Sequence, residues 1–355
     1  MPNLGERQLD KSNGNSMSKY VKAGYVYSGR LRDVTDKAAK QLNVINLAFG
    51  HCVDSRLEFD CSCADDVTRL RFVNPELKIL VSVGGWGAGG FSPMASTEAN
   101  RRRFTESAVD IFRRAKLDGI DIDWEYPCDS SAGIESSPDD KVNFTLMLKA
   151  LRDALDKEKT PSGKRPMLTI AAGAGEYFIN DTEMQKVAEL LDYVSLMTYD
   201  MRGSWSHRSG HHTNLYKPCN DDPASVEHAV EIFHAAGVPL DKIVIGAAFY
   251  SRKWENVADK NHGYLQQSES TGGFGPSFSE LYENYIDKNG YVRYWDNIAC
   301  APYLYNGCTF ISYDDEQSIA AKCEYVKEKS LRGIMYWEHG CDTTGQLLAT
   351  IDSKL

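Results

Sequence analysis

The segment Leu117-Asp118-Gly119-Ile120-Asp121-Ile122-Asp123-Trp124-Glu125-Tyr126-Pro127 decides how this chain folds. Between residues 119 and 125 acidic and apolar side chains alternate, and this period of two predicts a β-strand. Asp121, Asp123 and Glu125 then project from one face, each about 6.6 Å from the next. Carboxylates this close repel one another, so at least one pKa rises toward neutral pH. The strand is a candidate catalytic strand, and Asp118, on its other face, is predicted to be structural.

Seven further apolar runs of strand length accompany this one, and amphipathic helical patterns, such as residues 102–115, separate several of them. The eight predicted strands span residues 21–27, 44–50, 78–84, 119–125, 167–172, 193–199, 243–250 and 333–337. Ser137-Pro138 is predicted to open another helix. Eight strands interleaved with helices predict an α/β fold, a (β/α)8 TIM barrel with its site at the carboxyl ends of the strands.

The interval 255–310 interrupts this rhythm with many Gly, Ser, Tyr and Asn residues. We interpret it as a small α+β insertion between strands seven and eight, which leaves residues 19–254 and 311–355 to the barrel. Residues 1–18 are polar and are predicted to be a disordered N-terminal segment. This segment lacks the apolar core of a signal peptide, so we expect a cytoplasmic protein if the chain is complete. A secreted protein is expected instead if a signal peptide has been removed.

The composition excludes several classes of partner. The net charge of −10 argues against nucleic acid and against anionic membrane surfaces. No run of about 18 apolar residues is present, so no membrane span is expected. Nothing in the sequence predicts an oligomer, and the protein is expected to be a monomer.

No metal or other cofactor is predicted. The nine cysteines do not form a zinc-ligand pattern, and reduced thiols are the simplest interpretation, with a Cys300–Cys308 disulfide as the alternative. His207, His211 and His212 could bind a metal, but a loop that hydrogen-bonds its neighbours is the favoured alternative. The acids of residues 118–125 lie among Ile and Trp, whereas cation-binding acids usually lie in Gly- or Asn-rich loops.

The six tryptophans are found mostly at the ends of predicted strands. Trp86, Trp124, Trp254 and Trp337 lie within or just beyond strands, and Trp205 follows the sixth. Aromatic rings around a cleft suit the apolar faces of sugars, with acids as hydrogen-bond partners. Filling of the core is the alternative for any one of them.

Four ordered motifs resemble glycoside hydrolase family 18, the chitinases and their relatives. Asp118-x-x-Asp121-x-Asp123-x-Glu125 resembles the family's DxxDxDxE signature. The other matches are the strand from Lys78 to Trp86 with its Ser82-Val83-Gly84-Gly85, the Met197-Thr198-Tyr199-Asp200 strand, and the last strand from Gly333 to Glu338. In chain order these matches cover nearly the whole fold.

The resemblance implies a retaining, substrate-assisted mechanism in which the substrate's N-acetyl carbonyl is the nucleophile. Glu125 would be the general acid, Asp123 would orient the acetamido group, and Asp121 would share a proton with Asp123. Ser82 and Tyr25 would hold Asp121. Tyr199 would donate to the acetamido oxygen, Asp200 would help to bind the distorted sugar, and Trp337 would form the floor. Phe49, Trp86, Met197, Tyr250 and Arg252 are further candidate substrate-binding residues.

The resemblance therefore implies a chitinase that cleaves β-1,4 bonds of N-acetylglucosamine polymers or oligomers, and chitin or chito-oligosaccharide is the expected partner. An endo-β-N-acetylglucosaminidase acting on N-glycan cores is the alternative enzyme. A non-catalytic chitin-binding lectin is less favoured, because such members typically lose the terminal Glu, which is present here as Glu125. Ser251 and the His339-Gly340-Cys341 extension depart from the family pattern near the expected cleft, where both could change specificity.

Overall fold

The computed structural model describes residues 19–218 and 223–355, so the predicted disordered segment 1–18 lies outside the described residues. The strands are β1 (Val21–Tyr27), β2 (Val44–Val53), β3 (Arg56–Glu58), β4 (Lys78–Gly84), β5 (Gly119–Asp123), β6 (Met167–Gly173), β7 (Tyr193–Met197), β8 (Ile243–Ala248), β9 (Tyr250–Trp254), β10 (Gly273–Ser277), β11 (Val292–Asp296), β12 (Ala301–Tyr305), β13 (Phe310–Ser312) and β14 (Gly333–Trp337). The helices are α1 (Asp36–Gln41), α2 (Ala64–Val73), α3 (Phe91–Ala95), α4 (Glu98–Arg114), α5 (Asp140–Leu155), α6 (Glu176–Asn180), α7 (Met184–Leu190), α8 (Val226–Ala235), α9 (Phe278–Asn284), α10 (Glu316–Glu328) and α11 (Gln346–Lys354).

Eight parallel strands close into a barrel. Their order is β1-β14-β8-β7-β6-β5-β4-β2, and pairing of β1 with β2 completes the ring. The helices that follow these strands cover the outside, so the fold is the (β/α)8 barrel that the strand pattern predicts. No helix in the described part of the chain is long and apolar enough to span a bilayer.

The barrel separates two apolar layers. Alternate strand residues such as Tyr25, Leu80 and Met335 pack together inside the barrel. Their neighbours, including Ile120 and Ile122 of β5, face the helices in the larger outer core. Asp121 contacts Tyr25 inside the barrel, so the acidic face of β5 points inward while its isoleucines point outward. The alternation in the sequence is thereby confirmed.

Several element ends differ from the predicted ones. β5 ends at Asp123 and not at Glu125, because Trp124 leaves the sheet to stack on Phe91, with ring centroids 5.2 Å apart. Helix α5 begins at Asp140 and not at Ser137-Pro138. The Asp140 carboxylate accepts hydrogen bonds from the Ser137 amide at 2.7 Å and the Ser92 hydroxyl at 2.8 Å, and these bonds fix the preceding turn.

A second, antiparallel sheet has the order β10-β9-β13-β12-β11. It begins at Tyr250 and ends at Ser312, so it extends beyond the interval 255–310 on both sides. The extension arises because β13 pairs with β9, which follows the barrel strand β8 after a single residue. The division of the chain into a barrel and an insertion domain stays a prediction.

Candidate active site

A cleft of about 930 Å³ opens at the carboxyl ends of the barrel strands. Eleven of the candidate site residues line it, namely Tyr25, Phe49, Trp86, Asp123, Glu125, Met197, Tyr199, Asp200, Tyr250, Arg252 and Trp337. The two others, Ser82 and Asp121, are fully buried beneath it. The fold thus gathers side chains from seven barrel strands or the loops that follow them into one cavity, as TIM-barrel active sites do.

Asp121 lies at the base of the site and is held by three hydroxyl groups. Tyr25 and Ser82 donate to its Oδ2 at 2.9 and 2.8 Å, and Thr169 donates to its Oδ1 at 2.6 Å. Burial raises the pKa of Asp121, and the three hydrogen bonds oppose that rise. Thr169 was not predicted from the sequence. It lies opposite Asp121 on β6, a register that the sequence does not reveal.

Asp123 lies one strand repeat nearer the mouth of the cleft. It is buried, and its Oδ1 has no hydrogen-bond partner among the described residues. Burial raises the pKa of Asp123 well above its usual range, and the charges of Glu125 and Asp121 raise it further. A carboxyl group in this environment favours its protonated form and has one oxygen free for another partner.

Glu125 follows the end of β5 and reaches the cleft. Burial raises the pKa of its carboxyl from the ordinary value of 4.5 to about 7. The charge of Asp200 adds to this rise, whereas a hydrogen bond with Tyr126 opposes it. A carboxyl group that still carries its proton near neutral pH can act as a general acid.

Asp200 also lines the cleft and stays ionised. The Nε of Arg252 donates to its Oδ1 at 2.7 Å, and Nδ1 of His212 lies 3.5 Å from the same oxygen. Burial alone would raise the pKa of Asp200, but His212 and Arg252 outweigh burial and hold this pKa well below its usual range. The residue adopts the left-handed conformation, with φ of 54°, which Asp tolerates better than most residues.

Trp337 forms an aromatic floor together with its neighbours. Its ring stacks on Phe49 with a centroid distance of 5.5 Å and an interplanar angle of 20°. Tyr25 and Tyr27 approach it at 5.7 and 5.6 Å. Rings that are packed edge and face in this way present a rigid, flat, apolar surface.

The six tryptophans divide into three groups. Trp86, Trp205 and Trp337 line the cleft, and the first two are 64% and 65% exposed. Trp124 and Trp254 are buried in the core, so for these two the alternative, filling of the core, is confirmed. Trp295 lies on β11 of the second sheet and does not line the cleft.

Some cleft residues were not predicted as site residues from the sequence. Tyr27, Tyr126, Asp129, Tyr177 and Phe274 are among them. Tyr126 and Asp129 directly follow the acidic strand, and that position is a signal that could have identified them. Phe274 comes from the second sheet, and only the folded structure brings it to the barrel.

The histidine loop has structural partners. His211 Nε2 lies 3.1 Å from Oδ2 of Asp296, and the backbone amide of His212 donates to the Ser312 hydroxyl, so both residues hold the loop to its neighbours. Among the described residues, no three or more His, Cys, Asp or Glu side chains cluster in a way that could hold a metal ion.

The eight described cysteines are free, including Cys300 and Cys308, so the alternative disulfide is not formed. Cys219 lies outside the described residues.

Comparisons with known proteins identify the family of this chain. Residues 18–342 match the family "Glycosyl hydrolases family 18". Chitinase A1 of Niallia circulans is 39% identical over 315 residues, which cover 82% of this chain and 44% of that protein. Endochitinase 1 of Metarhizium robertsii is 34% identical over 313 residues, which cover 82% of this chain and 69% of that protein. The chain therefore spans less than half the length of the Niallia relative.

Solved structures give the same result. A glycoside hydrolase family 18 N-acetylglucosaminidase from Paenibacillus barengoltzii superposes with a TM-score of 0.92 at 52% sequence identity. The match covers 95% of this chain and 100% of that one. Chitinase ChiW from a Paenibacillus species superposes with a TM-score of 0.90 at 40% identity, covering 94% of this chain and 42% of that one. From the family match, these relatives and the shared barrel, this chain belongs to glycosyl hydrolase family 18.

Proposed function

We propose that this enzyme hydrolyses β-1,4 bonds between N-acetylglucosamine units of chitin or chito-oligosaccharides. The observation that carries the proposal is that Glu125, Asp123 and Trp337 line one cleft. Burial there raises the pKa of the Glu125 carboxyl to about 7. The names of the relatives Chitinase A1 and Endochitinase 1 support the same substrate.

The reaction proceeds in two steps with retention of configuration. In the first, Glu125 gives its proton to the glycosidic oxygen, the bond from that oxygen to the anomeric carbon breaks, and the substrate's acetamido oxygen bonds to that carbon. In the second, Glu125 takes a proton from water, the water oxygen attacks the anomeric carbon, and the acetamido oxygen leaves. The enzyme is regenerated, and no residue of the protein forms a covalent bond to the sugar.

The remaining side chains prepare the acetamido group for attack. Asp123 has an unpartnered oxygen beside the cleft and orients the acetamido N–H, whose positive charge grows in the transition state. Asp121 lies behind it, held by Tyr25, Ser82 and Thr169, and buffers the proton of Asp123. The Tyr199 hydroxyl donates to the acetamido oxygen. Asp200, fixed by Arg252, binds the distorted sugar that lies over Trp337.

Release of single N-acetylglucosamine units is a second candidate for the mode of action. It is favoured by the N-acetylglucosaminidase from Paenibacillus barengoltzii, which is 52% identical and matches over its whole length. Both candidates use the same acids and differ in how many sugars bind on each side of the broken bond.

A time course on a defined N-acetylglucosamine hexamer separates these modes. Dimers alone indicate processive or end-directed cleavage, mixed lengths indicate internal cleavage, and monomers from the start indicate the second candidate. The Glu125→Gln variant should lose roughly 10²–10⁴-fold in kcat, the usual contribution of a general acid, and should still bind the hexamer. Glu106→Gln on the exposed side of α4 is the matched control. Near-normal turnover by Glu125→Gln would refute the assignment.

A further inference from the structure

We propose that Phe274 is a sugar-binding platform on the wall formed by the second sheet, where it takes the apolar face of one pyranose ring. The inference rests on the proposed function and deepens it, because it adds a subsite carried by an element outside the barrel. Phe274 lies on β10 and lines the same cleft as Glu125.

The ring of Phe274 is open to solvent although apolar groups lie close by. It is 72% exposed, and it is not part of the apolar core of its own sheet, which Trp254, Tyr303 and Phe310 dominate. A single exposed Phe needs no explanation on an ordinary surface, but this one lies in a cleft already lined by exposed Trp86 and Trp205. An open aromatic ring beside carboxylates matches the chemistry of a sugar, which has apolar C–H faces and hydroxyl edges.

The Phe274 ring packs against Arg252 and Tyr250 of β9. Phe274 pairs with Arg252 across β9 and β10, and the guanidinium carbon lies 3.9 Å from the ring centroid. The Tyr250 ring lies 5.8 Å away and is tilted by 54°. Arg252 is itself held by Asp200 at 2.7 Å. The Arg252 guanidinium thus fixes one face of the Phe274 ring by a cation–π contact. The rest of the ring is exposed and remains available to a ligand.

The segment before Phe274 is tied to the loop that carries Trp205. The Gly272 amide lies 3.2 Å from the carbonyl oxygens of both Gly203 and Ser206, and Nη1 of Arg252 donates to the Gly272 carbonyl at 3.3 Å. A β-carbon at position 272 would collide with the Trp254 ring, so only glycine allows this approach. The exposed rings of Trp205 and Phe274 therefore lie on segments that are hydrogen-bonded to each other. A rigid platform of this kind loses little conformational entropy when it binds a sugar.

An alternative role for Phe274 is to shield the Arg252–Asp200 pair from water. The two roles predict different behaviour for Phe274→Leu, because leucine keeps apolar cover but lacks a flat face. If Phe274 only shields the pair, Phe274→Leu should behave like the unsubstituted protein. Phe274→Ala should then shift the pH at which Glu125 titrates, because the charge of Asp200 affects the pKa of Glu125. A platform requires the flat face, so both variants would weaken oligosaccharide binding.

The test is calorimetric binding of the N-acetylglucosamine hexamer to full-length protein in the Glu125→Gln background, which prevents turnover. We expect Phe274→Ala and Phe274→Leu each to raise the Kd about five- to tenfold, with Phe274→Tyr within about twofold of the parent. Phe72→Ala is the matched control, because Phe72 is 89% exposed on α2 and does not line the cleft. It should leave the Kd unchanged.

An unchanged Kd in Phe274→Ala would overturn the platform. So would a normal Kd in Phe274→Leu, and a shifted pH profile in active Phe274→Ala enzyme would then assign the shielding role. The proposed function fails separately: if the wild type does not cleave a hexamer that it binds, the function is wrong while the binding loss in Phe274→Ala still supports the subsite. No binding of the hexamer by the parent would refute both.

Discussion

At the scale of single residues, the proposed reaction requires Glu125 to keep its proton near neutral pH. Because it must be protonated to donate, kcat/KM should be level below about pH 7 and fall about tenfold per pH unit above it. The charge of Asp200 contributes to this raised pKa, so Asp200→Asn should move the fall to lower pH. Initial rates on a short chito-oligosaccharide between pH 5 and 9 measure the pH at which kcat/KM begins to fall. If this pH is unchanged in Asp200→Asn, or is higher, the electrostatic account is contradicted.

The same raised pKa makes Glu125 a cost to stability at alkaline pH. The unfolded carboxyl ionises near pH 4.5 and the folded one near 7, so the stability of the native state falls as the pH rises through this window. Glu125→Gln cannot ionise and should be about 1–3 kcal/mol more stable than the wild type at pH 8, but not at pH 4. Urea unfolding at the two pH values measures the difference. Equal stability at pH 8 would show that the folded pKa is not raised.

The residues of the site differ in how far the sequence reveals them. Alternation within one strand predicts the inward direction of Asp121 and Asp123, because it is a local property of the backbone. Thr169 and Phe274 reach the site through pairing between strands that lie far apart in the chain. No local pattern encodes such a register, and the structure is needed to find them.

At the scale of elements, a buried ion pair joins β8, α10 and the loop after β7. Nζ of Lys322 lies 2.6 Å from Oδ2 of Asp314, and both side chains are fully buried. The same ammonium donates to Thr213 at 2.6 Å, and the Ala248 amide donates to Asp314 at 3.0 Å. These bonds hold the carboxyl ends of β7 and β8 in place. Asp200 and Arg252, which line the cleft, follow these two strand ends in the chain.

Removal of one partner should therefore destabilise the fold strongly. Lys322→Met leaves the Asp314 carboxylate buried without its cation, which typically costs about 3–5 kcal/mol. Lys329→Met, at an exposed position just beyond α10, is the control and should change stability by about 0.5 kcal/mol or less. Chemical unfolding followed by circular dichroism compares the two variants. A loss below about 1 kcal/mol for Lys322→Met would mean that the pair does not hold these elements together.

Element types were more predictable than element ends. The eight barrel strands follow from apolar runs that are buried on both sides, whereas their carboxyl ends depend on tertiary contacts. Trp124 leaves β5 because it finds Phe91, and α5 starts late because Asp140 captures the Ser137 amide. Capping patterns alone do not distinguish such competing partners.

At the scale of the whole molecule, the closed barrel and the second sheet both contribute residues to the cleft. The barrel was predictable because eight strands with intervening helices have few other ways to bury both faces of a parallel sheet. The limits of the second sheet were not, since β13 returns to pair with β9 more than fifty residues earlier. A pairing of that kind depends on the folded shape.

The central claim, that the substrate supplies the nucleophile, concerns the complete active site. It is tested most directly by sequencing, with mass spectrometry, the products formed from a partly deacetylated N-acetylglucosamine hexamer. A free amine offers no carbonyl oxygen to attack the anomeric carbon. The account predicts that every newly formed reducing end carries an N-acetyl group. New reducing ends that carry free amines at comparable frequency would contradict it.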